Sequence, residues 1–406
     1  MKRFLFMFCL AFWLAPAALA ETPVTIDLGS AGEVATLYSY PNCAEVCPVY
    51  RTLPETIKHY LSQSLKRDGF NATTVDVSES GGRISVRLTG PGAADYAKVL
   101  PEYLKAGTLG LKGARELLDA LGPDGRRLWR YNWRFFLPHG VALVRHRTVQ
   151  LLHFPPDSVL LDKQDYLAAS TTKRWTQLLT ENGAVSDDIG RFQNIIDIVP
   201  IALPDRDSCF LDPRPPKCAT ASPTSPRPGV YPHFDDYVNA LLDLWLPQPG
   251  QADSRPMVAF GRPAWAWLRA THNVDLALLK LGVVILASGT KVQTLAANHP
   301  SFIWHVKDTD EPQEKKLASA MKIMQEDAVA ACWQVKMGMD MTASPESTLS
   351  HCNETWSGRD IRLCELSYIQ VFDKTVDEAN RLCTNVGPDV IRSVSDAEIN
   401  ALRAAY

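Results

Sequence analysis

Met257-Val258-Ala259-Phe260-Gly261-Arg262-Pro263-Ala264 decides the fold class of this chain. Four apolar residues in a row, without alternation, read as a strand covered on both faces. A glycine ends the run, and Pro263 suits the first turn of the helix expected over Pro263 to Arg269. Downstream, Val292 to Ala297 reads as a last strand that ends at Asn298-His299-Pro300-Ser301. Upstream, Ile195 to Ile201 is a near-continuous apolar run, and Val141 to Leu152 reads as extended chain. Helices are expected over Tyr166 to Thr180, Phe234 to Leu246 and Glu314 to Lys336. Strands separated by helices predict an α/β domain with a doubly wound, mostly parallel sheet.

That domain is expected over residues 111–336. Before it, residues 21–110 read as a small α/β unit. Its strands are expected at Val34 to Tyr38, Val75 to Val77 and Ile84 to Leu88, and its helices at Val49 to Lys66 and Ala93 to Ala106. Five glycines between Gly107 and Gly125 read as a connector. Eight prolines between Pro204 and Pro232 exclude regular structure there. Residues 337–406 read as a helical, cysteine-rich tail, an appendage to the sheet.

The 406 residues are 46% apolar, 21% charged and 9% aromatic. These globular values exclude a disordered, collagen-like or coiled-coil chain. Met1 to Ala20 has the layout of a cleaved secretory signal: Lys2 and Arg3, an apolar run from Phe4 to Leu14, then Ala18-Leu19-Ala20 before Glu21. The run is too short for a membrane span, and no later stretch supplies one. Removing residues 1–20 takes the formal net charge from −3 to −5, so nothing global draws the protein to nucleic acid or acidic lipid. An exported chain, periplasmic or secreted, is expected.

Cys9 leaves with the signal, and eight of the nine cysteines remain. An even number in an exported chain reads as disulfides, with roughly a hundred pairings possible. Local closure favours Cys43–Cys47, Cys209–Cys218, Cys332–Cys352 and Cys364–Cys383. Zinc is the rival reading, but there is no C-x2-C pair and no histidine at ligand spacing. No metal site and no cofactor are expected.

Three stretches bear on chemistry. Tyr40-Pro41-Asn42-Cys43-Ala44-Glu45-Val46-Cys47-Pro48 stands between an expected strand and helix, and it resembles the copper-chaperone branch of the thioredoxin-like fold. There, two thiolates at a helix start bind soft Cu(I). The family's distant histidine has no counterpart in residues 21–110 except His59, on the helix itself; a structural disulfide is the competing reading. From Arg126 to Arg147 the sequence carries Arg126, Arg127, Arg130, Arg134, Arg145 and Arg147 without an acidic residue, interleaved with Trp129, Tyr131, Trp133, Phe135 and Phe136. Arg130, Trp133 and Arg134 suit phosphate contact and base stacking. The reading that the net acidic charge favours for the same residues is a strand with inward aromatics and outward arginines.

The third stretch returns to the opening octad. The strand leading into Gly261-Arg262-Pro263-Ala264, and the later strand ending in His299-Pro300-Ser301, resemble the C-terminal half of the uracil-DNA glycosylase superfamily. Asn194-Ile195-Ile196-Asp197-Ile198-Val199-Pro200 is similar to that family's asparagine-bearing strand, and together the pieces cover about residues 150–335. The resemblance implies base excision on a flipped nucleotide. His299 would stabilise charge on the departing base, Asn194 would read its edge, and Pro300 and Ser301 would press on the DNA backbone. The family's water-positioning motif would fall on Leu151 to Asp157, where Asp157 is the candidate and the glycines are missing.

Capping chemistry alone also accounts for Asn298 to Ser301, since Asn or Ser caps a helix and Pro favours its first turn. No G-x-S-x-G, P-loop, H-E-x-x-H or G-x-G-x-x-G appears. Asn71-Ala72-Thr73 and Asn353-Glu354-Thr355 are glycosylation sequons. Three functional readings stand. The first is an enzyme or binder of nucleic acid or a nucleotide, using His299 and Asn194. The second is a periplasmic binding or assembly protein of an envelope protein complex. The third is a thioredoxin-like redox or copper-handling protein using Cys43 and Cys47. Intact-mass measurement of the exported protein is expected to find a chain that starts at Glu21 with all eight thiols oxidised; free thiols on an unprocessed chain would contradict the compartment.

Overall fold

The computed structural model describes residues 22–31, 34, 52–121, 142–153, 170–200, 231–247 and 254–405. Cys43, Cys47, Arg130, Trp133, Arg134, Asp157, Cys209 and Cys218 lie outside the described residues, as does the strand expected at 34–38 apart from Val34.

The first unit is a three-stranded antiparallel sheet in the order β1-β3-β2, built from β1 Val24–Ser30, β2 Thr74–Ser80 and β3 Arg83–Thr89. Both central residues of the β2–β3 turn, Gly81 and Gly82, have positive φ, as a two-residue hairpin requires. Helix α1, Leu53–Arg67, starts with a capping box between Thr52 and Glu55. Ile57, Tyr60, Leu61 and Leu65 recur at helical spacing and are buried with Ile84, Val86 and Leu88.

Helix α2 runs unbroken from Ala93 to Leu121. The expected end at residue 106 and the expected connector are therefore corrected. The reason is packing: a Cβ on Gly113 would lie 1.7 Å from the backbone oxygen of His233, so that glycine admits a close neighbour and does not break the helix. The boundary at 110/111 consequently falls inside a helix. The apolar cluster of the first unit also continues into the parallel sheet, through Leu143, Val149, Leu151 and Met257.

The larger sheet has the order β5-β4-β6-β8-β7. Strands β4 Val149–Leu152, β5 Asn194–Asp197, β6 Met257–Phe260 and β8 Lys291–Ala297 are parallel, and β7 Leu281–Ile285 pairs with β8 antiparallel. The structure is thus a mixed α/β fold with a parallel-rich sheet. Of the described residues of the expected extended stretch, 142–152, only the last four pair, because residues 143–145 turn around a carboxylate described below. Strands β1 and β7 had no place in the expectations.

Side chains alternate across the sheet. Leu151, Ile196, Ala259 and Ala296 join one apolar cluster, whereas Ile195, Val258 and Leu295 join the other. Helix α3, Ser170–Glu181, supplies the second cluster with Trp175 and Leu178. Helices α4 Asp235–Trp245 and α5 Gly261–His272 supply the first cluster with Leu241, Trp245, Ala264 and Trp267. Helix α6, Gln313–Met339, supplies the second with Met321, Ala328 and Trp333.

Four helices and a short turn of helix follow: α7 Pro345–Trp356, α8 Asp360–Gln370, α9 Val376–Cys383, α10 Pro388–Arg392 and α11 Asp396–Ala405. The two expected local disulfides of this region are present, Cys332–Cys352 and Cys364–Cys383. Cys352, Trp356, Cys364 and Ile399 are buried in the same cluster as Val258 and Leu295 of the sheet. The expected boundary at 336/337 lies within α6, and the tail is an outer layer of the domain and not an appendage. Among the described residues no helix is long and apolar enough to cross a membrane.

One buried carboxylate joins the first unit to the sheet. Asp68, fully buried at the end of α1, accepts the backbone N–H groups of Leu143 (3.0 Å), Val144 (3.2 Å) and Arg145 (2.8 Å), and the hydroxyl of Tyr96. Burial raises its pKa, and these donors oppose the rise. Arg145 stacks over Phe70 at 4.0 Å, and Arg147 pairs with Asp188. Both arginines of the basic stretch that are described therefore serve packing. Asp68→Ala leaves three amides without their acceptor and is expected to cost about 3 kcal/mol or more in urea unfolding, with Asp68→Asn milder because its amide oxygen still accepts.

Candidate functional site

Strand β4 has β5 on one side and β6 on the other, a switch in strand order, and open α/β sheets place ligands in the crevice outside the carboxyl ends of the strands at such a point. The residues at that edge are His153 after β4, Asp197 closing β5, Gly261 after β6, and Asn298 and His299 after β8.

Gly261 lets two of these loops meet. Its φ is +76°, and a Cβ there would come within 3.1 Å of the His299 Cβ. Helix α5 begins at this glycine without a side-chain cap, and its first turn leaves backbone N–H groups pointing outward. Arg262 is exposed beside them.

His299 is oriented by its own loop. Nδ1 lies 2.7 Å from the Ser301 hydroxyl and accepts the Ser301 backbone N–H at 3.3 Å. An amide only donates, so Nδ1 is the acceptor and Nε2 carries the proton. Among the described residues Nε2 has no hydrogen-bond partner. Burial, then the charges of His305 and Arg174, push the pKa of the ring from 6.5 down to about 4. The ring is thus neutral at physiological pH and offers one N–H.

A buried polar network fixes the loop from beneath. Arg174 of α3 and Asp327 of α6, both almost wholly buried, pair at 2.6 Å. Arg174 also donates to the Pro300 carbonyl at 2.9 Å. The Asn298 amide donates to Asp327 and Glu326, each at 3.0 Å, and its oxygen accepts Arg403 Nε at 3.0 Å. Arg403 completes the set by pairing with Glu326. Burial raises the pKa of both carboxyls, against the pull of Arg174 on Asp327 and of Arg403 on Glu326.

The structure brings His299 and Ser301 together but separates them from Asn194. Asn194 is at the amino end of β5, level with Val149, Met257 and Thr294. Three strand spacings, about 14 Å, and five residues of rise, about 16 Å, part it from His299. Its amide donates to the Thr148 carbonyl (3.0 Å) and the Arg191 carbonyl (2.9 Å), tying loops at the opposite edge of the sheet. The expected base-reading role is therefore corrected: a strand's first residue cannot reach the carboxyl-end crevice. Pro300 is buried, so its expected contact with a DNA backbone is corrected too.

Sequence reasoning passed over Arg174, Glu326, Asp327 and Arg403. Two adjacent acidic residues directly before the apolar run Ala328 to Trp333, Glu326-Asp327, were the one signal available. No family model, curated protein or solved structure matches the chain.

The lowered His299 pKa has a stability consequence with a definite sign. Between pH 6.5 and about 4 the unfolded chain binds a proton there that the folded chain refuses, so folding stability falls as pH drops through this window. Below it both states are protonated and the loss is complete. His299→Gln is expected to flatten this part of the stability–pH curve, measured by denaturant midpoints across that range; a curve parallel to wild type would contradict the assignment.

Proposed function

We propose that the protein is an exported, disulfide-stabilised binding protein whose ligand is a nucleotide or nucleic-acid strand, held by its phosphate at the carboxyl edge of the parallel sheet. The sheet, with helices contributing to apolar clusters on each face, is read as doubly wound and as a diverged uracil-DNA glycosylase-like domain. One observation carries the functional reading: the uncapped start of α5 packs against the His299 backbone and Cβ, and the neutral ring of His299 has an Nε2–H without a hydrogen-bond partner among the described residues. Helix N-termini favour anions, and Arg262 adds a positive charge at the same place. Binding is preferred to base excision because Asn194 is remote from the crevice. The two buried disulfides are compatible with an oxidising compartment.

A second reading, an assembly protein of an envelope complex, draws on a different surface. Ile361 and Leu382, about half exposed, neighbour the Cys364–Cys383 crosslink, and Val376 is exposed on the same pair of helices. Apolar side chains left on a crosslinked layer suit a protein partner.

Calorimetric titration with a short oligothymidylate and with UMP tests the first reading. Binding that weakens with added salt is expected. His299→Ala is expected to lower affinity about tenfold or more, the value of one hydrogen bond to a charged group. No heat with either ligand, or an affinity that His299→Ala leaves unchanged, sinks the proposal.

A further inference from the structure

The loop that carries His299 is pinned on alternate residues. Asn298 is held by Arg403, Glu326 and Asp327; Pro300 is held through its carbonyl by Arg174; Phe302 lies 5.8 Å beneath the Arg403 guanidinium. The intervening residues, His299 and Ser301, are left to bond one another. Arg403 touches the loop on both sides of His299, at Asn298 before it and Phe302 after it. It comes from the far end of the sequence, yet its helix is firmly seated. Ser395 and Glu398 exchange the two bonds of a capping box, Ile399 is buried, and Lys322 pairs with Asp396 at 2.6 Å.

We propose that Arg403 is a positioning residue for His299: the C-terminal helix locks the 298–301 loop so that the Nε2–H is presented at the crevice. The proposal rests on the reading of His299 as the ligand's hydrogen-bond donor. It also gives the last helix of the chain a role in the site, because a donor must be held in place before the ligand arrives to be worth its full affinity. Without Arg403 the oxygen of Asn298 loses its donor, and the loop is left with Arg174 and the two carboxylates alone.

The test is a histidine titration of the full-length protein with ¹⁵N-labelled histidine, followed by long-range ¹H–¹⁵N spectra. His299→Gln identifies the His299 signals among the nine histidines. Arg403→Met alone strands the Glu326 carboxylate and risks misfolding. The informative variant is therefore Glu326→Gln/Arg403→Met, which removes one charge of each sign. With the net charge unchanged, a shift reports chiefly the loop's freedom. In this variant the His299 midpoint is expected to rise by about one pH unit or more, with both ring tautomers populated, as the ring gains water. Arg403→Lys, which keeps the charge and one donor, is expected to retain the wild-type tautomer. A smaller shift in a folded double variant overturns the proposal. Failure of the wild type to bind oligothymidylate or UMP would remove the functional reading alone, because the spectra are read without ligand.

Discussion

The buried ion pair between Arg174 and Asp327 is the constraint to which the second face of the sheet answers. Neither side chain has access to water, so each charge is tolerable only while the other is present and further hydrogen bonds support the pair. Asp327 receives Arg174 on one oxygen and Asn298 on the other; Arg174 spends a further N–H on the Pro300 carbonyl. Such pairs add little net stability over an apolar equivalent, but losing one partner costs about 3–5 kcal/mol. Their contribution is geometric. These bonds fix a helix from before β5, a helix from after β8 and the loop between β8 and that helix in one mutual arrangement, which leaves Arg174 Nε without a partner among the described residues.

Helix α6 is the piece around which this arrangement closes. Ala328, Val329, Ala330, Ala331, Cys332 and Trp333 are all buried, six consecutive residues that leave the helix no solvent face at its centre. A helix apolar all round must be enclosed. One side meets β6 and β8, and the other meets α7 and α8, with the alanines allowing close approach. Gln334 shows how the polar groups there are managed. Its amide donates to the Thr148 hydroxyl (2.8 Å) and the Phe192 carbonyl (2.6 Å), and its oxygen accepts the Trp175 indole N–H at 2.8 Å. The cysteine-rich helices complete this enclosure, which is why their crosslinks are buried with the sheet and not at a distant surface.

The strands that cross the middle of the sheet were legible because burial on both faces writes an unbroken apolar run, as at Met257 to Phe260. Helix α6 and the crosslinks Cys332–Cys352 and Cys364–Cys383 were legible from periodicity and from short loop closure. Helix α2 was misread because Gly107, Gly110 and Gly113 look like punctuation, whereas Gly113 answers to a neighbouring carbonyl that no local rule contains. Strand β7 escaped because Val283 and Ile285 point outward from an edge, giving no contrast between faces. At the site, the His299 loop was visible as a motif, but which end of a strand a residue occupies decides whether it reaches the crevice. That distinction separates Asn194 from His299, and it comes from strand pairing, not from residue type. Arg403 was invisible for a further reason: its partner Asn298 is more than a hundred residues away.

The protonation state of His299 limits what the site does. A general base near neutral pH works best with a pKa close to the ambient value, so that it both accepts a proton readily and is unprotonated beforehand. A ring held at about 4 is unprotonated but a poor acceptor, and its Nδ1 lone pair is already occupied by Ser301. What it retains is a fixed neutral donor. Such a donor stabilises an oxygen that carries negative charge without the desolvation cost that an imidazolium would bring to so enclosed a place. Under the proposed reading, its loop beside the positive end of α5 suits a bound phosphate or an anionic base better than proton transfer. The same burial that makes His299 a weak base thus keeps its ring a neutral donor, the property on which the proposed recognition rests.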